Sequence, residues 1–249
     1  MSIYCFIDLD DTLFQTRRKC PPGAPVVVAA HGRDGAPLSF MTHKQRAVYE
    51  WMSKGATVIP TTARNFDAFR RVALPFTGAA ILDFGGVILG DNGELDTEWD
   101  AIVRGKAADV KSSLHDYQAT LTAIAADNGL QVRARVIGDF DMDLYVVAKQ
   151  ADIESGDLAR LHELCRSGVD QERFGIHFND NNLSITPRFL NKRFAVEYML
   201  EKIRGKDGDA IVLGMGDSLS DLAFMGICDY SVLPTVSQAF KVFTEAGHV

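Results

Sequence analysis

The sequence is poor in cysteine. It has four among 249 residues (Cys5, Cys20, Cys165, Cys228), none at C-x-x-C spacing and none beside histidines at zinc-ligand intervals. That pattern argues against a disulfide framework and a cysteine-built metal centre, and it fits free thiols in a reducing cytoplasm. No apolar run approaches the ~18 residues of a membrane-spanning helix. The opening MSIYCFIDLD has no basic leader, and Asp8 interrupts its apolar run too early for a signal peptide. Positive charge is also short: 26 Lys+Arg stand against 33 Asp+Glu, a formal charge of −7. Neither nucleic acid nor an anionic membrane is an expected partner of such a chain, since both favour basic patches. No internal repeat and no low-complexity tract is visible.

What is present is the balance of an ordinary globular protein, 47% apolar and 24% charged. Its length falls between one large domain and two modest ones. Residues 3–7 form a short apolar run that stops at Asp8-Leu9-Asp10-Asp11-Thr12, as a strand buried on both faces would. A hairpin is expected within 15–41, turning at Gly32-Arg33-Asp34-Gly35; it is either a flap beside a site or a plain edge hairpin. Thr42 can cap a helix over 43–54 that Gly55 ends. A second buried strand over 56–60 delivers Thr61-Thr62-Ala63-Arg64, followed by a helix over 65–72 and a third short strand over 79–82.

From about residue 86 the character changes. A hairpin, helical stretches within 97–127, alternating strands at 130–137 and 143–148, a helix at 157–165 and a hairpin around 179–182 read as an α+β unit. Strand–helix alternation then resumes with a helix over 192–203, whose Ala195, Val196, Met199, Leu200 and Ile203 form one apolar stripe. A strand at 211–213 ends in Gly214-Met215-Gly216-Asp217-Ser218-Leu219-Ser220-Asp221, and a strand near 230–233 and a helix from 237 close the chain. The expected architecture is α/β: a doubly wound parallel sheet built from 1–85 and 186–249, with an α+β cap domain of 86–185 inserted.

In such a sheet, ligands bind outside the carboxyl ends of the strands. Asp8, Asp10 and Thr12 after the first strand, Thr62 after the second, and Asp217 and Asp221 after the fourth can therefore converge on one crevice. An Asp pair after a strand is also ordinary turn chemistry; convergence gives it a second meaning. Gathered carboxylates repel, at about 4 kcal/mol per pair at ~4 Å and an effective dielectric of ~20. A hard, oxygen-preferring cation such as Mg²⁺ would neutralise them. With Mg²⁺ and Lys192 in place, the crevice could hold a phosphoryl dianion for a carboxylate nucleophile.

Asp8-Leu9-Asp10-Asp11-Thr12, Thr62, Lys192 and Gly216-Asp217-x-x-x-Asp221 resemble, in order and spacing, the four motifs of the haloacid dehalogenase superfamily of phosphohydrolases. Thr62-Ala63-Arg64 is similar to the T-G-R of its Cof-type and sucrose-phosphate-phosphatase-like branch. Asp83-Phe84-Gly85 and Ile185-Thr186-Pro187 resemble that branch's passage into and out of an α+β cap.

The resemblance implies a Mg²⁺-dependent phosphatase of a small phosphorylated metabolite, with a sugar phosphate favoured, working through an aspartyl-phosphate. A phosphomutase and a non-catalytic phosphate-binding regulator are the alternatives. Asp8 would be the nucleophile and Asp10 the general acid and base. Thr62 and Lys192 would bind the phosphoryl group. Asp8, the Asp10 carbonyl and Asp217 would hold Mg²⁺, with Asp221 in support.

Arg64 is either a substrate contact or a surface residue at a helix start, and Thr61 competes with Thr62 for phosphate. Where relatives place Asn before the last Asp, this chain has Ser220, with shorter reach. Arg133 and Arg135 share one strand face, either solvated or reaching toward a distal acid or phosphate of the substrate.

Two other patterns fail on their own chemistry. Asp139-Phe140-Asp141-Met142-Asp143 begins like a calcium loop, but Leu144 and Gln150 replace its Gly and Glu. Gly214-Met215-Gly216 lacks the third glycine of a dinucleotide fingerprint, having Leu219 instead.

Overall fold

A computed structural model describes residues 1–76, 78–179 and 181–245. In chain order the elements are β1 (Ile3–Ile7), β2 (Gln15–Thr16), β3 (Val26–His31), β4 (Pro37–Thr42), α1 (His43–Gly55), β5 (Thr57–Pro60), α2 (Phe66–Phe69), β6 (Ala80–Leu82) and β7 (Val87–Leu89). Next come α3 (Thr97–Asp127), β8 (Val132–Asp139), β9 (Met142–Gln150), α4 (Asp157–Cys165), β10 (Phe174–Asn179) and β11 (Asn182–Pro187). The chain closes with α5 (Lys192–Lys206), β12 (Ile211–Met215), α6 (Leu222–Met225), β13 (Tyr230–Val232) and α7 (Gln238–Glu245).

Two compact units result, Met1–Asp96 with Asn191–Val249, and Thr97–Leu190. The first holds a parallel sheet in the order β13-β12-β1-β5, in register from Ile3↔Ile211 to Ile7↔Met215 and from Tyr4↔Thr57 to Ile7↔Pro60. Central β1 has neighbours on both sides and no solvated face, so its sequence is an unbroken apolar run with Cys5, Phe6 and Ile7 fully buried. Leu9, Leu13, Phe14, Met41, Tyr49, Met52 and Met215 pack with Cys5 and Ile7 into one core.

Helix α1 starts at a complete capping box, in which Thr42 accepts from the Gln45 backbone and Gln45 reaches back to the Thr42 N–H. The insert over 15–42 is a three-stranded antiparallel sheet, β2-β4-β3.

The division between the units falls later than the sequence boundaries at 86 and 185. The reason is pairing: β6 and β7 form an antiparallel hairpin, Ala80↔Leu89, that a Thr61↔Ile81 bridge ties to the end of β5. Asp96 stays with the same unit because its carboxylate accepts from Tyr198 and Lys202 of α5, both at 2.9 Å. The helix expected over 65–72 is cut to Phe66–Phe69, because the chain beyond it bridges to β3 at Ala30↔Val72, with the Ala73 N–H on the Ala29 carbonyl at 2.7 Å.

The second unit is an antiparallel sheet, β10-β11-β9-β8, with α3 and α4. Along α3 the buried positions Trp99, Val103, Ala107, Val110, Leu114, Leu121 and Ala125 recur every three to four residues or at a multiple of that, and Val110, Leu114 and Leu121 among them join the core under the sheet. Asp180, within the hairpin expected around 179–182, lies outside the described residues. No described helix is long and apolar enough to cross a membrane.

Glycine 214 in β12 marks a close approach. A Cβ there would sit 2.8 Å from the Met225 Cα and 3.1 Å from the Cys228 sulfur. Gly214→Ala should therefore cost about 1–3 kcal/mol through overpacking against backbone. Equilibrium urea unfolding measures it, and an unchanged midpoint would contradict this packing.

Candidate active site

Three loops leave the carboxyl ends of β1, β5 and β12 at the same edge of the sheet. The β1–β12 ladder continues one step past the strand, with the Asp8 N–H on the Met215 carbonyl at 2.8 Å. Asp8 is thereby set beside Gly216. The loop after it curls tightly, the Leu13 and Phe14 N–H groups both returning to the Leu9 carbonyl at 2.9 and 3.1 Å. Asp11 adopts φ of 64°, a conformation that Asp tolerates better than most residues. The curl turns Thr12 back on the strand end, where its hydroxyl lies 3.3 Å from Asp8 Oδ2 and 3.1 Å from Asp217 Oδ1.

At the centre, the Lys192 ammonium donates to Asp8 Oδ1 at 2.6 Å and to Asp221 Oδ1 at 2.7 Å. All three side chains are under a tenth exposed. Lys192 opens α5, where the helix dipole disfavours a cation. The two carboxylates supply the compensation, and the Asn191 side chain caps the helix by accepting from the Arg193 N–H at 2.9 Å.

Asp221 is saturated with donors. Its Oδ2 accepts from the Ser218 hydroxyl at 2.6 Å and from the Ser218 and Asp217 N–H groups at 3.1 and 3.3 Å. Gly216 permits this, because a Cβ on it would lie 2.5 Å from the Asp221 Cβ. One carboxylate oxygen from each of Asp8, Asp217 and Asp221 lies within 4.8 Å of the other two.

Asp10 stands apart from that cluster. Its carboxylate takes both arms of Arg64, Nε to Oδ2 and a terminal nitrogen to Oδ1, each at 2.7 Å. Arg64 is itself fixed, with its guanidinium over the Phe14 ring at 5.0 Å and one nitrogen on the buried Ser39 hydroxyl at 3.2 Å. Its side chain is only 12% exposed.

Thr62 is buried, and its hydroxyl accepts from the Arg64 N–H at 3.1 Å, whereas the Thr61 hydroxyl turns back to the Ile59 carbonyl at 3.2 Å. Ser220 is exposed, its hydroxyl 2.8 Å from that of Ser218. Arg133 and Arg135 are exposed on β8 in the other unit, without an ion pair among the described residues.

The sequence reasoning missed Ser218, Ser39 and Gln45 as parts of this network. Gln45 donates to the Thr12 carbonyl at 3.3 Å and to the Gln15 side chain at 2.6 Å, tying the α1 cap and the insert to the loop after β1. Ser218, three residues before Asp221, had a local signal as a turn-former; Ser39 had none.

The electrostatics follow from this crowding. Burial pushes the Asp8 carboxyl well above the ordinary carboxylate value against the pull of Lys192. Burial, with Asp221 and Asp11 nearby, takes Asp217 up to about 6. Burial would raise Asp221 too, but the Lys192 ammonium and the Ser218 donors hold it below the ordinary value. Lys192 is held above its usual range by Asp221 and Asp8, despite a burial that alone would lower it.

Three carboxylates and one ammonium leave a formal excess of two negative charges, and every donor not already committed is oxygen. That set fits a hard divalent cation such as Mg²⁺.

A carboxyl raised in the folded state favours folding while protonated. That stabilisation is present below the ordinary 3.8 and is lost as pH rises through about 6. With chelator present, wild type should therefore lose stability relative to Asp217→Asn across this window. Urea unfolding at stepped pH measures the difference, and a difference flat across the window would contradict the charge crowding.

No protein-family model matches the sequence, and neither does any curated protein. Solved structures do match in fold. A protein of Thermoplasma acidophilum superposes with a TM-score of 0.55 at 13% identity, covering 97% of this chain and 89% of that one. The C-terminal domain of trehalose-6-phosphate phosphatase from C. albicans gives 0.55 at 13%, covering 90% and 73%. The sucrose-phosphatase of Synechocystis sp., in complex with sucrose and phosphate, gives 0.51 at 15%, covering 100% and 98%. At these identities the likeness is one of fold, and the fold of this chain is the expected α/β core built on a parallel sheet, with an inserted α+β unit.

Proposed function

We propose that the chain is a Mg²⁺-dependent phosphatase of a small phosphorylated metabolite, a sugar phosphate by preference. One observation carries the reading: Asp8, Asp217 and Asp221 are gathered at the carboxyl edge of the sheet with Lys192 bridging two of them. The sugar-phosphate preference rests on the fold shared with the sucrose- and trehalose-phosphate phosphatases. The four free cysteines accord with a cytoplasmic protein.

Asp8, the Asp10 carbonyl and Asp217 would hold Mg²⁺, with Asp221 fixing Lys192 and the loop after β12. The cation would neutralise the carboxylates and draw charge from the phosphoryl oxygens. Lys192 and Thr62 bind the phosphoryl group, meeting charge as it develops.

Asp8 attacks phosphorus, forming an aspartyl-phosphate as the bond to the leaving oxygen breaks, and Asp10, protonated on an oxygen freed from Arg64, gives the leaving oxygen its proton. Water then attacks phosphorus while Asp10 takes its proton, and the bond to Asp8 breaks to release inorganic phosphate. Arg64 orients Asp10 between these duties through its two-armed contact.

Asp8→Asn removes the nucleophile while keeping its size. It should lower phosphate release from an aryl phosphate or a sugar phosphate by at least ~10³-fold while the protein stays folded by circular dichroism. Chelator should silence wild type, and Mg²⁺ should restore it. Turnover by the Asn variant near the wild-type rate would overturn the reading, and an isomeric sugar phosphate in place of free phosphate would indicate a mutase.

A further inference from the structure

Three consecutive residues after β6, Asp83, Phe84 and Gly85, have φ of 51°, 57° and 98°, all left-handed. Two of them are not glycine, and such a run costs free energy that surrounding contacts must offset. Asp83 is fully buried. The contacts made here fall on two segments of the candidate site. The Phe84 N–H donates to the Thr62 carbonyl at 3.2 Å and the Asp83 N–H to the Arg64 carbonyl at 2.9 Å, fixing the loop after β5. On its other side the turn meets the start of α5. A Cβ on Gly85 would lie 2.7 Å from the Asn191 carbonyl oxygen and 3.3 Å from the Ala195 Cβ. Asn191 caps α5, and the next residue is Lys192.

We propose that the Asp83–Phe84–Gly85 turn is the positioning device of this site: it presses on the first turn of α5 to set Lys192 between Asp8 and Asp221, and holds Thr62 and Arg64 in the same frame. Gly85 is the residue on which this depends, for two reasons. Its φ of 98° suits glycine, and its lack of a side chain lets the Asn191 carbonyl approach. The turn touches no reacting atom; it acts through Lys192. The kinetic consequence rests on the phosphatase reading, whereas the setting of Lys192 does not.

Gly85→Ala puts a methyl against backbone at the start of α5, and the neighbouring helix must shift. The matched control is Gly93→Ala. Gly93 has φ of 76°, so alanine suffers the same kind of backbone strain there, but nothing lies within 4 Å of its would-be Cβ. Two measurements are made on the Mg²⁺-loaded proteins: acetic anhydride labelling of each lysine, read by mass spectrometry, and the separate kcat and KM for phosphate release.

In wild type, Lys192 should be among the slowest lysines to label. Gly85→Ala should speed its labelling about tenfold with exposed lysines unchanged, and lower kcat by ~10²-fold with KM shifted much less. Gly93→Ala should match wild type in both. If Gly85→Ala does not fold, Ala195→Val presses on the turn from the helix side at an ordinary φ and should move the same readouts in the same direction.

Folded Gly85→Ala or Ala195→Val with wild-type Lys192 labelling and kcat would overturn the proposal, as would an equal effect from Gly93→Ala. Absence of phosphate release from wild type itself would count against the phosphatase reading alone, since labelling still reports on Lys192.

Discussion

The ammonium of Lys192, buried between the carboxylates of Asp8 and Asp221, is the constraint on which the rest of the first unit depends. Ion pairs withdrawn from water barely repay their desolvation, and stripping one partner from such a pair costs about 3–5 kcal/mol. The arrangement is therefore a poor way to gain stability and a good way to hold charge in a fixed place. Its components come from opposite ends of the chain, 184 residues apart for Lys192 and Asp8. Parallel pairing of β1 with β12 brings the two aspartate loops together, and the start of α5 delivers the lysine.

Small residues make that convergence possible. Gly216 admits the Asp221 side chain, Gly214 admits α6, and Gly85 admits the Asn191 carbonyl. Each approach is closer than a Cβ would allow, so the geometry of the charged cluster is transmitted through backbone contacts rather than through long side chains. The insert over 15–42 adds a further brace: Ser39 holds Arg64, Arg64 holds Asp10, and Gln45 ties the α1 cap to Thr12. What composition leaves as an edge hairpin is thus linked to the loop after β1, and Asp10 is steered from outside the cluster that Asp8 occupies.

Much of this was legible in the sequence, for identifiable reasons. β1 and β12 are short apolar runs ending in aspartates, so both the strands and their polar termini announce themselves. The Thr42 cap, the apolar stripe of α5 and the α+β character of the insertion follow from spacing alone. The pairing partners of β6 did not, because three apolar residues carry no sign of whether they join the parallel sheet or fold back on β7. The truncation of α2 was equally hidden, since it results from a bridge to Ala30, more than thirty residues earlier. In the site, charged residues in motif order were readable, whereas the positions of their side chains were not. The two-armed capture of Asp10 by Arg64 and the hydroxyl contacts of Thr12 and Ser39 depend on tertiary approach and leave no periodicity behind.

The account stands or falls on covalent chemistry at Asp8. Wild-type protein mixed with a sugar phosphate and Mg²⁺, quenched in acid within the first turnover and digested, should yield the peptide containing Asp8 with one added phosphoryl group, lost on treatment with hydroxylamine. Phosphate released in the same quench with Asp8 unmodified, or with the phosphoryl group on another residue, would contradict it.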